Sequence, residues 1–285
     1  MIWMRSELKH KVVGVSGPQE NSSRDDLVTV EEPLEIWVAY DDESSERVEI
    51  SLSITMRTPG DDHALVMGFL FSEGLIQSRE DVLELEAFGP VTEPLSLQNQ
   101  LKVLLRSGES VANKNFQRYF YANSSCGVCG KASIQALQML HEPCIEPDSF
   151  KIKDQDLRKL PEILRTSQCE FGQTGGSHAV ALVDLQGRML LLKEDIGRHN
   201  AMDKLLGQLL IEDRLDIRDK MVLVSGRASF ELVQKALMAD IPCFAAIGAP
   251  SSAAVDLSKK FDMTLVGFLK DTGYNIYHEA QRIIN

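Results

Sequence analysis

Two thiols three residues apart are the first groups in this chain that could do chemistry. They lie in Ser124-Ser125-Cys126-Gly127-Val128-Cys129-Gly130-Lys131. Glycines between and after the cysteines make a loop in which either sulfur can be presented. Backbone N–H groups at the start of a helix expected just after Lys131, together with the Lys131 cation, would favour thiolate. Thiolate is the form that attacks sulfur donors, metals and disulfides. Four readings compete: half of a zinc site, a thioredoxin-like redox pair, a persulfide carrier, and a structural pair. The zinc site lacks a second Cys-x-x-Cys, and a redox pair would sit directly after an N-terminal strand in a smaller fold. A persulfide carrier needs one exposed, activated cysteine on a loop, and this pattern supplies it. Cys144, Cys169 and Cys243 are read as structural, with Cys243 buried in a strand.

A second set of groups could bind an anionic ligand. Thr174-Gly175-Gly176-Ser177-His178 lets backbone pass close to a ligand, and His178 could act as acid, base or phosphate contact; a tight turn with a core histidine is the blander alternative. Glu194-Asp195-Ile196-Gly197-Arg198-His199-Asn200 lies between a strand and a helix. There Arg198 and His199 could hold phosphate, while Asp195 and Asp203 could orient them or accept from a purine-like base. Ser225-Gly226-Arg227-Ala228-Ser229 repeats the arrangement, and Gly248-Ala249-Pro250-Ser251-Ser252 gives a weaker third copy. Helix capping and surface charge would account for any one of them. Loops at the same ends of neighbouring strands converge, however, so three such segments favour one pocket.

The elements that must position these groups fall into two halves. Residues 1–26 are polar and predict a loose terminus. Leu34–Val38 and Val48–Ile54 alternate as a hairpin, with Val48, Ile50, Leu52 and Ile54 on one face. A helix follows Thr58-Pro59-Gly60, with Asp61 or Asp62 as its N-cap, and Leu101–Leu105 is a further strand. From about residue 121 the pattern becomes strand–helix–strand: strands at 178–183, 189–192, 220–225, 243–247 and 264–268, helices at 200–210, 230–238 and 253–261. That rhythm predicts an α/β fold, a β-rich N-terminal subdomain over 27–120 and a three-layer α/β/α sandwich over 121–285.

Bulk properties narrow the function. A net charge of −12 disfavours a nucleic-acid backbone as the main partner. No signal-peptide layout opens the chain. The longest apolar run, Ala64–Phe71, is far short of the ~20 residues a membrane helix needs. A soluble cytoplasmic protein with neither nucleic acid nor membrane as partner is expected, and an odd cysteine count fits no disulfide framework.

With these segments in view, the chain resembles the formate dehydrogenase accessory sulfurtransferase (FdhD-type) family. The match runs from about residue 30 to the end. Besides the cysteine, Thr-Gly-Gly-Ser-His, Glu-Asp-Ile-Gly-Arg-His-Asn and Ser-Gly-Arg segments, it includes Glu31-Glu32-Pro33-Leu34, Met56-Arg57-Thr58-Pro59-Gly60 and Gly68–Gly74. The resemblance implies a sulfur carrier that takes sulfur from a cysteine desulfurase as a persulfide on Cys126. It implies delivery of that sulfur to the molybdenum (or tungsten) bis(molybdopterin guanine dinucleotide) cofactor needed by formate dehydrogenase. The cofactor is then a bound substrate, and no resident metal is expected. Cys129 stands beside Cys126 in the catalytic loop. Gly175, Gly176, His178, Asp195, Arg198, His199, Ser225 and Arg227 are implied cofactor contacts. So is the segment Phe268-Leu269-Lys270-Asp271-Thr272-Gly273, in which Gly273 stands where the family carries an arginine and Asp271 adds a negative charge. A homodimer and a cytidine-deaminase-like fold are also implied. Deaminase chemistry is not, because the His-x-Glu and Pro-Cys-x-x-Cys signature is absent. The alternative from another class is a cofactor-binding chaperone that moves no sulfur.

Overall fold

The structure, a computed structural model, describes residues 7–15, 21–42, 44–93, 95–112, 141–147, 149–279 and 281–285. Cys126, Cys129 and the helix expected after Lys131 lie outside the described residues. Where a loose terminus was expected, β1 (Glu7–Val15) and β2 (Asn21–Thr29) form an antiparallel hairpin.

The first half is built on a four-stranded sheet of β3 (Glu32–Asp41), β4 (Arg47–Arg57), β5 (Val82–Thr92) and β6 (Leu97–Leu105), in the order β4-β3-β6-β5. The alternation of Leu34, Ile36 and Val38 turns one face of β3 to the core, where all three are buried. On β4 the expected alternation holds only as far as Leu52. Opposite β3, Trp37 pairs with Ser51 and Ile36 with Ser53, so Leu52 is an extra residue in a bulge. Beyond it the side chains change faces. Ile54 therefore stands 67% exposed instead of sharing the core face, and Arg57 turns fully inward.

Helix α1 (Asp62–Ser72) follows and is apolar nearly all round, as a helix enclosed on several sides must be. Asp61 occupies its N-cap position with left-handed backbone, but its side chain caps nothing. Its carboxylate instead pairs with Lys193 at 2.9 Å, and that of Asp62 with Arg57 at 2.8 Å.

After the short α2 (Glu109–Ala112) and β7 (Ile152–Lys153), helices α3 (Asp154–Leu157), α4 (Leu160–Ser167) and α5 (Cys169–Thr174) lead into a six-stranded sheet. Its elements are β8 (His178–Val183), β9 (Met189–Asp195), α6 (Arg198–Ile211), β10 (Met221–Val224), α7 (Phe230–Met238), β11 (Cys243–Ala246), α8 (Ser252–Lys260), β12 (Thr264–Lys270) and β13 (Gly273–His278). A final β14 (Ile283–Ile284) pairs with β7. The sheet order is β13-β12-β11-β10-β8-β9; β10, β11 and β12 are parallel and their neighbours antiparallel.

Alternate strand residues serve two cores. Val180, Leu182, Val222, Val224, Phe244 and Leu265 join α1, α6, α7 and α8 on one face. Ala179, Ala181, Met221, Leu223 and Cys243 join Leu157 of α3 and Leu160 and Leu164 of α4 on the other. The first core also contains Leu34, Ile36, Val38 and Leu52, so the N-terminal sheet has no separate interior. One contact between the halves is a helix crossing so close that a Cβ on Gly68 would run into the Asp203 carbonyl, and one on Gly207 into that of Ala64.

Candidate functional site

Strand register brings the segments expected to contact a ligand to one end of the six-stranded sheet. Val224 pairs with Val180 and Ala246, Ala245 pairs with Val266, and His178 pairs with Asp195. The starts of β8 and α6 and the carboxyl ends of β9, β10, β11 and β12 therefore share an edge, where ligands of open α/β sheets bind. The loops there are tied to each other. The Gly248 N–H donates to the Gly226 carbonyl at 2.9 Å, Ala228 to Ala249 at 3.1 Å, and Phe268 to Gly248 at 3.0 Å. A side chain at Gly248 would collide with Gly226 and Arg227, so glycine is needed for this close approach. The Ser225 hydroxyl accepts the Ala179 N–H at 2.9 Å, which fixes the end of β10 to β8.

Gly175 closes α5 in left-handed backbone, and Gly176 passes against Thr29 with no room for a Cβ. Glu194 holds this turn in place: its carboxylate accepts from the N–H groups of Glu170 and Phe171 and from the Ser177 hydroxyl, at 2.8–3.0 Å. The half-buried His178 lies beside Gly226. Burial first, and then the charges of Arg198 and His199, push its pKa below the ordinary histidine value of 6.5.

The two arginines here have no carboxylate partner among the described residues. Arg198 is the first residue of α6, and its buried Nε has no hydrogen-bond partner. Arg227 is exposed and makes no ion pair among the described residues. His199 Nε2 stands 3.8 Å from Glu231 Oε2 and 3.5 Å from Ser229 Oγ. The His199 ring holds the Glu231 carboxyl down to about 2, so Glu231 is anionic at neutral pH.

The 268–273 segment continues the same edge. Phe268 is 42% exposed with left-handed backbone, at a bulge between β12 and β13. A bulky residue in that conformation must be held by its surroundings. Leu269 is buried in the second core, while Lys270, Asp271 and Thr272 are exposed. Thr272 and Gly273 line an open groove of about 640 Å³ with Arg158, Tyr274 and Tyr277. Asp154 fixes two of its walls, accepting from Tyr274 Oη at 2.6 Å and from Arg158 at 2.9 Å. Burial, and then this carboxylate, raise the Tyr274 phenol to about 12.

A protein-family model described as FdhD/NarQ matches residues 29–284. The chain belongs to the FdhD/NarQ family. Proteins named sulfur carrier protein FdhD from Mycobacterium tuberculosis, Streptomyces coelicolor and Sulfolobus acidocaldarius are 44%, 42% and 38% identical to it. Each alignment covers 92% of this chain and 93%, 90% and 93% of the relative, respectively. A crystal structure described as that of a formate dehydrogenase accessory protein from Desulfotalea psychrophila shares its fold, with a TM-score of 0.71 at 23% identity over 98% of this chain and 100% of that one.

Two carboxylates of this FdhD/NarQ chain, read as orienting Arg198 and His199 or accepting from a base, lie beneath the crevice. Asp195 is fully buried: Oδ1 accepts from Gly197 N–H and Asn200 Nδ2, and Oδ2 from Thr58 N–H and from Lys204 Nζ at 2.7 Å. Asp203 is likewise buried, between Lys235 and Ser72. Both support the start and middle of α6 and offer nothing to a base. Thr58 and Lys204 complete this support, while the buried Arg57 next to Thr58 holds Asp62, Asn99 and the Glu32 carbonyl; residue type alone suggests none of these roles. Lys and Arg ordinarily mark surface, and only the bulge after Leu52 turns Arg57 inward. The family motif around Met56–Gly60 is a signal that points to Arg57 and Thr58. Among the described residues no group of three or more His, Cys, Asp or Glu side chains is placed to hold a metal ion.

Proposed function

We propose that this chain is a sulfur carrier in formate dehydrogenase maturation. In this reading it is a sulfurtransferase that accepts sulfur from a cysteine desulfurase on Cys126. It passes that sulfur to the molybdenum (or tungsten) bis(molybdopterin guanine dinucleotide) cofactor, which it holds as a substrate. Family membership and the names of the relatives support the carrier role. The observation that carries the ligand side is the convergence of Arg198, Arg227, His178 and His199 on one sheet edge in a chain of net charge −12. Two guanidinium groups without a carboxylate partner among the described residues, Arg198 and Arg227, with two imidazoles beside them, suit a ligand with phosphates.

In the loading step the Cys126 thiolate attacks the outer sulfur of the donor persulfide. A new S–S bond forms on Cys126, the donor's S–S bond breaks, and the donor cysteine leaves as thiolate. Proton and electron count are conserved. Cys129 would resolve the persulfide, hand sulfur on or only shape the loop. In the crevice, Arg198, Arg227 and Lys270 would neutralise the pyrophosphates, and His178, neutral at pH 7, can donate or accept one hydrogen bond. We further read the protein as a cytoplasmic homodimer with a deaminase-like sandwich; no described helix is long and apolar enough to cross a membrane.

The test is complementation of a strain lacking this chain. Cys126→Ala and Arg198→Ala should each abolish formate dehydrogenase activity. Activity retained by Cys126→Ala and lost by Arg198→Ala would replace the transferase with a chaperone that only carries the cofactor.

A further inference from the structure

Thr58 is fully buried, and it directs every polar group it has at one place. Its N–H donates to Asp195 Oδ2 at 3.1 Å, its carbonyl accepts Lys204 Nζ at 2.9 Å, and its hydroxyl oxygen accepts the Ile196 N–H at 3.0 Å. All three partners lie at the junction of β9 and α6. The same junction meets the neighbouring residues of β4: Asn200 Nδ2 donates to the Met56 carbonyl at 2.7 Å and Thr55 Oγ1 donates to Asn200 Oδ1 at 3.0 Å. Arg198 and His199, which face the crevice, sit between the Ile196 and Asn200 anchors. The six-stranded sheet cannot supply these contacts, because its edge strand β9 ends at Asp195.

We propose that Thr58 is a positioning residue for the ligand crevice, the point at which the N-terminal sheet sets the direction of Arg198 and His199. The physical reason is the cost of an unmet buried donor. Without the Thr58 hydroxyl the Ile196 N–H has no acceptor, and the turn is expected to shift until it finds one. Arg198 and His199 would then move relative to His178, whose proton affinity is lowered first by burial and then by their charges, and raised by Asp195. The proposal rests on the crevice being the phosphate-binding site, but its first readout needs no ligand.

The experiment compares the full-length wild type with Thr58→Val, which keeps shape and loses the hydroxyl, and Thr58→Ser, which keeps the hydroxyl. The His178 titration is followed by NMR in the ligand-free proteins, and GDP binding by calorimetry. Thr58→Val should shift the His178 midpoint away from its wild-type position and weaken GDP binding by about tenfold, the order expected for an unmet buried donor. Thr58→Ser should restore both. If Thr58→Val melts lower but leaves the His178 midpoint where it was, Thr58 is only a stability residue and the proposal is overturned. If the wild type does not bind GDP, the reading of the crevice falls, while the His178 midpoints still decide the role of Thr58.

Discussion

At His178 the charges of the crevice can be read out directly. Burial and the neighbouring Arg198 and His199 hold its proton affinity below the ordinary value, so it should be neutral at pH 7 with an NMR midpoint under 6.5. Between that midpoint and 6.5 the unfolded chain binds a proton that the folded protein does not, so stability rises with pH across the window. The contribution is complete above 6.5 and is lost as pH falls through the window, levelling off below the folded midpoint. Binding of a phosphorylated ligand should raise the midpoint, and a midpoint unmoved by ligand would place the anion elsewhere. Asp195 makes a harsher test. Asp195→Asn leaves the buried Lys204 cation without its anion, which should cost about 3–5 kcal/mol in denaturant unfolding. Cys243 should be inert. Burial pushes its thiol up to about 12, so alkylation at mildly basic pH should spare it until the protein unfolds, while the exposed Cys144 and Cys169 react.

At the scale of elements, the crossing of α1 and α6 depends on two glycines. Gly68→Ala or Gly207→Ala forces the helices apart and should cost about 1–3 kcal/mol, seen as a lower melting temperature. Gly172→Ala, in α5 with open space around it, should be neutral or slightly stabilising, and it serves as the control. The same elements show what could be read from the chain itself. Helix 230–238 was expected with the ends it has, because Ser229 and the apolar spacing mark both limits. The hairpin of 178–183 and 189–192 was expected from two apolar runs joined at Gln186-Gly187, and its second strand continues to Asp195. The polar β1–β2 hairpin offered no alternation to read, and the short helices between 154 and 174 are too brief to establish a period. The change of faces on β4 was hidden, since a bulge is a property of two paired strands and leaves no mark in one of them.

Across the whole molecule the convergence of the crevice was legible, because segments placed after successive parallel strands must meet at one edge. The support beneath it was not. Asp195 and Asp203 look like ligand groups by type, and only the fold reveals that Lys204 and Lys235 already occupy them. The N-terminal half shares the main core and meets the β9–α6 junction through Thr58, so stability belongs to both halves together. The central claim, that sulfur travels on this chain, is tested most directly by intact mass. Wild type and Cys126→Ala are incubated with a cysteine desulfurase and cysteine, then weighed without reductant. One added sulfur atom on the wild type, absent from Cys126→Ala, is the predicted result. No added sulfur on the wild type, or the same gain on both, would contradict it.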